Sequence, residues 1–204
     1  MIGIVDYGLG NLTSVAGAIE KVGFEPLISS DPSDLARMDK LILPGVGAFG
    51  DGMANLTSRN LVGLLSDLVL TQKKPLLGIC LGFQLIARTS EEFGNHKGLG
   101  WIDAEITRLA PGNSSLRIPH VGWNEVHQVE ASILFDDIPD DGLFYYVHSY
   151  RMETTNKEFI VGECDYGERF ISVIQADNIY ATQFHPEKSQ RHGLTLLKNF
   201  LEKG

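Results

Sequence analysis

The chain has 204 residues, a length suited to one compact domain with a sizeable core. Hydrophobic residues make up 43% and charged residues 21%, which excludes disordered, collagenous and low-complexity classes. A formal net charge of -9 supplies no basic field for a phosphate backbone, so a nucleic-acid partner is not expected.

The run from Met1 to Asp6 is apolar and partly β-branched, and reads as a buried first strand ending in the turn-rich stretch Tyr7 to Asn11. Asn11 can cap a helix in which Leu12, Val15, Ile19 and Val22 recur at helical spacing, with Gly23 as its stop. A second short strand runs from Lys40 to Leu43, and Pro44 to Gly47 breaks it into a loop. Helical patterns then cover roughly Asp51 to Thr71. Residues Pro75 to Ile79 form another strand running into Cys80, and Leu81 to Arg88 again has helical composition. This alternation predicts a parallel sheet covered by helices on both faces.

From Trp101 to Thr182 the pattern changes to short β-rich runs, including Phe144 to Val147, Phe159 to Val161, Ile171 to Ile174 and Ile179 to Tyr180, separated by Asp, Gly and Asn turns. A last helix carries Leu194, Leu197 and Leu201 on one face, with Lys198 and Lys203 toward its negative end. With no repeat and no linker-like stretch, residues 1–204 are expected to form one α/β domain with a β-rich second half.

Two cysteines, Cys80 and Cys164, are too few for a disulfide framework. No segment reads as a secretory signal and no apolar run is long enough to span a bilayer, so a reducing cytoplasm is expected and a membrane is not. The absence of Cys-x-x-Cys and His-x-x-x-His pairs argues against a metal site, and no cofactor is expected.

Cys80 lies between Gly78 and Gly82, the small residues that a tight strand-to-helix turn requires where backbone passes close to backbone. Such a turn exposes the sulfur at the carboxyl edge of the sheet and at a helix N-terminus, which favours thiolate. Cys164, between Glu163 and Asp165 with no glycine elbow, reads as structural. A nucleophilic cysteine needs a base and something to orient it. His185 is followed by Pro186 and then by Glu187, whose carboxylate can face the same way as the imidazole in an extended stretch. Donors for a tetrahedral oxyanion are then sought in Leu81 N–H and in the Pro44 to Gly47 segment.

The runs Gly78-Ile79-Cys80-Leu81-Gly82-Phe83-Gln84 and Phe184-His185-Pro186-Glu187-Lys188-Ser189 resemble the class I, or triad, glutamine amidotransferases. More narrowly, Asp6 to Asn11, Pro44 to Gly50, Pro119 to Asn124, Tyr146 to Tyr150 and Leu196 to Phe200 resemble the glutaminase subunits of imidazole glycerol phosphate synthases. The resemblance covers essentially the whole chain. It implies a flavodoxin-like α/β fold, with a mostly parallel central sheet flanked by helices. It also implies glutamine hydrolysis by Cys80 as nucleophile, His185 as general base and acid, and Glu187 as orienting carboxylate. Gly47, Gln84, Glu92, Ser149 and Tyr150 would line the glutamine pocket, and Gly45, Val46 and Leu81 would serve the oxyanion, with the Gly45–Val46 peptide reorienting to do so. The ammonia would pass to a separate (β/α)8-barrel cyclase subunit, in a one-to-one heterodimer serving histidine biosynthesis. Asn11, Pro119, His120, Val121, Gly122, Trp123, Asn124, Tyr145 and Lys188 would face that partner. Three other readings stay open: the same glutaminase chemistry feeding an amidine-forming, sugar-modifying partner, a cysteine hydrolase or peptidase on a similar sheet, and a binding subunit with a decayed site.

Overall fold

A computed structural model describes residues 1–112 and 116–204. In the first part of the chain, strand β1 (Ile2–Val5) leads to helix α1 (Leu12–Lys21), and β2 (Pro26–Ser29) to α2 (Pro32–Arg37). Strand β3 (Lys40–Gly45) is followed by α3 (Phe49–Ser58) and α4 (Leu61–Ser66), and β4 (Leu76–Cys80) passes directly into α5 (Leu81–Leu85). Both early helices have side-chain caps: Asn11 Oδ1 accepts from Ser14 N–H at 3.3 Å, and Asp31 Oδ1 accepts from Ser33 N–H at 2.7 Å.

The second part is largely strand. Short β5 (Thr89–Ser90) and β6 (His96–Lys97) precede β7 (Glu105–Arg108), β8 (His120–Gln128), β9 (Gly142–His148) and β10 (Tyr150–Glu153). Strands β11 (Ile160–Asp165), β12 (Arg169–Ala176) and β13 (Ile179–Thr182) follow, and α6 (Gln190–Lys203) ends the fold. No described helix is long and apolar enough to cross a membrane.

Strands β2, β1, β3, β4 and β13 lie side by side and run parallel. Beyond β13 the sheet continues antiparallel through β12 and β10, with β11, β8 and β9 branching from β12. Every residue of β1, β4 and β13 is buried, as strands covered on both faces must be. On one face α1 and α6 contribute Val15, Ile19, Leu197 and Phe200 to the core. On the other, α3, α4 and α5 contribute Phe49, Leu56, Leu65 and Phe83. The expected α/β sheet with helices on both faces is therefore present.

Two helical expectations change in detail. The stretch from Asp51 to Thr71 is broken at Asn60, whose φ of 57° ends α3 and lets α4 start in a new direction. Helix α5 stops at Leu85 rather than near Arg88, because the carbonyls of residues 85 to 88 accept from the N–H groups of Gly98 to Ile102 instead. Parallel registry sets Gly45 beside Cys80 and Ile79 beside Thr182, so the carboxyl ends of β3, β4 and β13 finish at one edge.

Candidate active site

At that edge Cys80 adopts φ 54° and ψ -101°, a conformation L residues rarely occupy. The turn is possible because its neighbours lack side chains. A Cβ on Gly78 would sit 3.0 Å from the Gly82 carbonyl oxygen, and one on Gly82 would overlap the Leu43 carbonyl oxygen. On the adjoining strand end, a Cβ on Gly45 would overlap the Tyr7 hydroxyl, which is buried and has no hydrogen-bond partner among the described residues.

His185 and Glu187 come from the segment after β13. His185 Nδ1 lies 2.8 Å from Glu187 Oε1, and both side chains are almost wholly buried. The His185 backbone is held at both ends: its N–H donates to the Tyr145 carbonyl at 2.9 Å, and Ser189 Oγ donates to its carbonyl at 2.6 Å. With Nδ1 committed to the carboxylate, Nε2 has no hydrogen-bond partner among the described residues, and it is the nitrogen available to Cys80. Burial alone would lower the His185 pKa. The Cys80 sulfur and then the Glu187 carboxylate outweigh it and push His185 up to about 10.

A pocket of about 350 Å³ opens onto the sulfur and imidazole, lined also by Val46, Gly47, Leu81, Gln84, Glu92, Pro119, Ser149 and Tyr150. The structure thus brings the three proposed relay residues together with all five proposed glutamine-pocket residues. Glu92 Oε2 accepts from Phe49 N–H at 2.6 Å, capping α3 where the capping residue Ala48 offers no side-chain bond. Burial raises its pKa. Gly47, at φ 106°, gives the loop after β3 a backbone conformation that a side chain would strain.

Two pocket-side residues escaped the sequence reading. Gln183 Nε2 lies 3.9 Å from Cys80 Sγ, and its Oε1 accepts from Gln84 Nε2 at 3.0 Å. Its position two residues before His185 in an extended stretch was the available signal. His148, immediately before Ser149, also lines the pocket.

The proposed partner-facing residues divide by strand alternation. Val121 and Trp123 are 55% and 45% exposed on β8, and Trp123 packs edge to face on its register partner Tyr145 at 6.0 Å. Lys188 Nζ stands 5.9 Å from the Tyr145 ring, and α1, capped by Asn11, packs on the turn that carries Lys188. Gly122 and Asn124 lie between and beyond these residues on the same strand, and Pro119 borders the pocket. His120 is different: only 2% exposed, it points into the interior and presents no side chain to that face.

Away from the pocket, Glu125, His127 and Asp141 bring potential metal-ligating atoms within 4.8 Å of one another at the surface. His127 Nδ1 is 2.6 Å from Asp141 Oδ1, an ordinary exposed ion pair when the imidazole is protonated.

His185 couples the site to stability. An unfolded histidine titrates near about 6.5, so between that value and about 10 the folded chain holds a proton that the unfolded chain has released. The contribution is complete below the unfolded pKa and is lost as pH rises toward the folded one, at up to about 1.4 kcal/mol per pH unit. Urea denaturation between about pH 7 and 9 is expected to show a steeper fall for the native chain than for His185→Gln. Equal slopes would mean that folding takes up no net proton at His185 and Cys80 together.

The chain matches the family model "Glutamine amidotransferase class-I" over residues 3–203. It is 45% identical over 201 residues to the imidazole glycerol phosphate synthase subunit HisH 1 of Campylobacter jejuni (strain RM1221), covering 98% of this chain and 99% of that one. To the HisH subunit of Methanothermobacter thermautotrophicus (strain ATCC 29096 / DSM 1053 / JCM 10044 / NBRC 100330 / Delta H) it is 46% identical over 204 residues, covering 99% and 98%. In fold it is similar to a structure of PurLQS from Thermotoga maritima, with a TM-score of 0.74, 19% identity and coverage of 98% and 96%. A glutamine amidotransferase from the same organism gives a TM-score of 0.69, 16% identity and coverage of 98% and 96%. The chain therefore belongs to the class-I glutamine amidotransferases, and within them to the family of imidazole glycerol phosphate synthase HisH subunits.

Proposed function

We propose that this chain hydrolyses glutamine to glutamate and ammonia through a Cys80 thioester, and delivers the ammonia to a (β/α)8-barrel cyclase subunit in the cytoplasm. The observation that carries the reading is the meeting of Cys80 with the His185–Glu187 pair at one pocket of about 350 Å³. In this reading the Cys80 thiol passes its proton to His185 Nε2 as Sγ attacks the side-chain carboxamide carbon, forming a C–S bond and a tetrahedral oxyanion. Leu81 N–H, with the Gly45–Val46 peptide once reoriented, supplies donors to that oxygen. His185 Nε2 gives its proton to the amide nitrogen, the C–N bond breaks and ammonia leaves. A water then attacks the thioester carbon while Nε2 takes its proton, the C–S bond breaks and glutamate is released. Glu187 holds the imidazole in the tautomer with Nε2 toward sulfur and stabilises the imidazolium. Gly47, Gln84, Glu92, Ser149 and Tyr150 hold the substrate, with Glu92 suited to its ammonium group.

Ammonia protonated by bulk water loses its nucleophilicity, so its acceptor must sit against the pocket. The Trp123–Tyr145–Lys188 cluster, a pair of amphipathic rings beside a cation, suits a docking face for the barrel. Co-expression with a barrel cyclase should give a one-to-one complex. That complex should release one glutamate per glutamine and pass ammonia to a ribulosyl carboxamide ribotide. Glutamate release with no complex and no product from that acceptor would favour the amidine-forming partner. Cleavage of peptides with no action on glutamine would favour the peptidase.

A further inference from the structure

Beneath the pocket lies a chain of hydrogen bonds that the relay does not use. His148 Nδ1 is 2.9 Å from the Tyr150 carbonyl oxygen, which can only accept, so Nδ1 carries a proton and, in the neutral ring, Nε2 is bare. His120 Nδ1 is 3.0 Å from that bare Nε2 and must therefore donate to it. This leaves His120 Nε2 as an acceptor, and Asn124 Nδ2 faces it at 3.4 Å while also donating to the Asp165 carbonyl at 2.8 Å. Every link agrees on one sense of proton placement, with both imidazoles neutral. The Tyr150 carbonyl in turn accepts from Gln84 Nε2 at 3.2 Å, and Gln84 Nε2 reaches Gln183, the residue beside Cys80 Sγ.

The pair is also fixed by packing. The His120 ring stacks on Tyr166 at 4.0 Å and on Tyr146 at 4.9 Å, and both histidines are over nine-tenths buried. Burial lowers the pKa of His120 to about 4, and burial together with the neighbouring His120 and His185 lowers that of His148 to about 3.

We infer that His120 is a positioning residue for glutamine binding: by donating from Nδ1 it locks His148 in the tautomer that holds the Tyr150 carbonyl, and so fixes the Ser149–Tyr150 wall and Gln84. This rests on the glutaminase reading. It assigns a role to the histidine that β8 turns inward, separate from the exposed side chains of the same strand. The proposed consequence is selective. Loss of the donor leaves His148 Nε2 unpartnered and its tautomer free to change, so the substrate wall loosens while Cys80, His185 and Glu187 keep their places.

The test compares His120→Phe, which keeps a flat ring and removes the donor, with His120→Asn, whose amide nitrogen can replace Nδ1. Nitrogen-15 NMR of the native chain should show His148 protonated at Nδ1 and bare at Nε2. His120→Phe should turn this into a mixture of tautomers. In the complex with the barrel cyclase it should raise KM for glutamine about tenfold with kcat within about threefold, and His120→Asn should recover most of the loss. A native His148 protonated at Nε2 would overturn the proposal, as would a folded His120→Phe with unchanged KM. An Asn variant no better than Phe would reduce His120 to a packing role and would also overturn it. If the native chain does not act on glutamine, the functional reading fails on that assay while the NMR signature still decides whether the locked pair exists.

Discussion

Cys80→Ala is expected to reduce glutamine turnover by about four decades or more, because the thioester route needs the sulfur and no other described thiol reaches the pocket. The residual rate would come from binding and oxyanion donors alone. The same position offers a second measurement. Cys80 holds φ 54° and ψ -101°, which strains any residue with a Cβ, alanine included. Cys80→Gly removes that strain, so it should be as inactive as Cys80→Ala yet more stable than it by about 1 to 2 kcal/mol. Urea denaturation of both variants, beside a glutamate-release assay, checks both statements. Equal stability would mean that the elbow is not strained, and substantial activity in the alanine variant would remove the nucleophile from the proposal.

Gly82→Ala should cost about 3 to 5 kcal/mol, a large share of the roughly 5 to 15 kcal/mol that typically holds a protein folded. An added methyl group meets the Leu43 carbonyl oxygen, which belongs to strand β3, and β3 is paired to β4 along its length. Nothing there yields in the way a flexible side chain would. Relief requires α5 to move off the sheet, carrying Leu81 and the fully buried Phe83 out of their packing. Gly63→Ala is the matched control: it lies in α4 with no described atom within 4 Å of the added one and should gain about 0.5 to 1 kcal/mol. A Gly82→Ala chain melting like the native one would contradict the elbow as described.

Much of this is legible in the sequence. Apolar, β-branched runs with turn residues at both ends marked β1, β3, β4 and β13, because strands buried on both faces leave no room for polar positions. Cys80 stood out for its two glycines and His185 for its carboxylate neighbour, both local signals. What stayed hidden depends on distance along the chain. Strand β13 inserts between β4 and β12, pairing residues about a hundred positions apart, which no local pattern encodes. Strand β8 alternates buried and exposed residues, but its chain of His, Trp, Asn and Glu reads as a motif rather than as a sheet. For the same reason the sequence does not separate His120 from its exposed neighbours. A side chain one residue along a strand faces the opposite way, and only the pairing with β9 says which way that is.

Cys164 is fully buried, and burial pushes its thiol up to about 12. A maleimide or iodoacetamide probe offered to the native chain should therefore meet one kind of thiol, at the pocket, and a second only when the β11 region opens. With Cys80 already alkylated, uptake of further label counts opening events directly. The molecule thus carries a built-in reporter of its own breathing, readable by mass spectrometry without an added dye or tag.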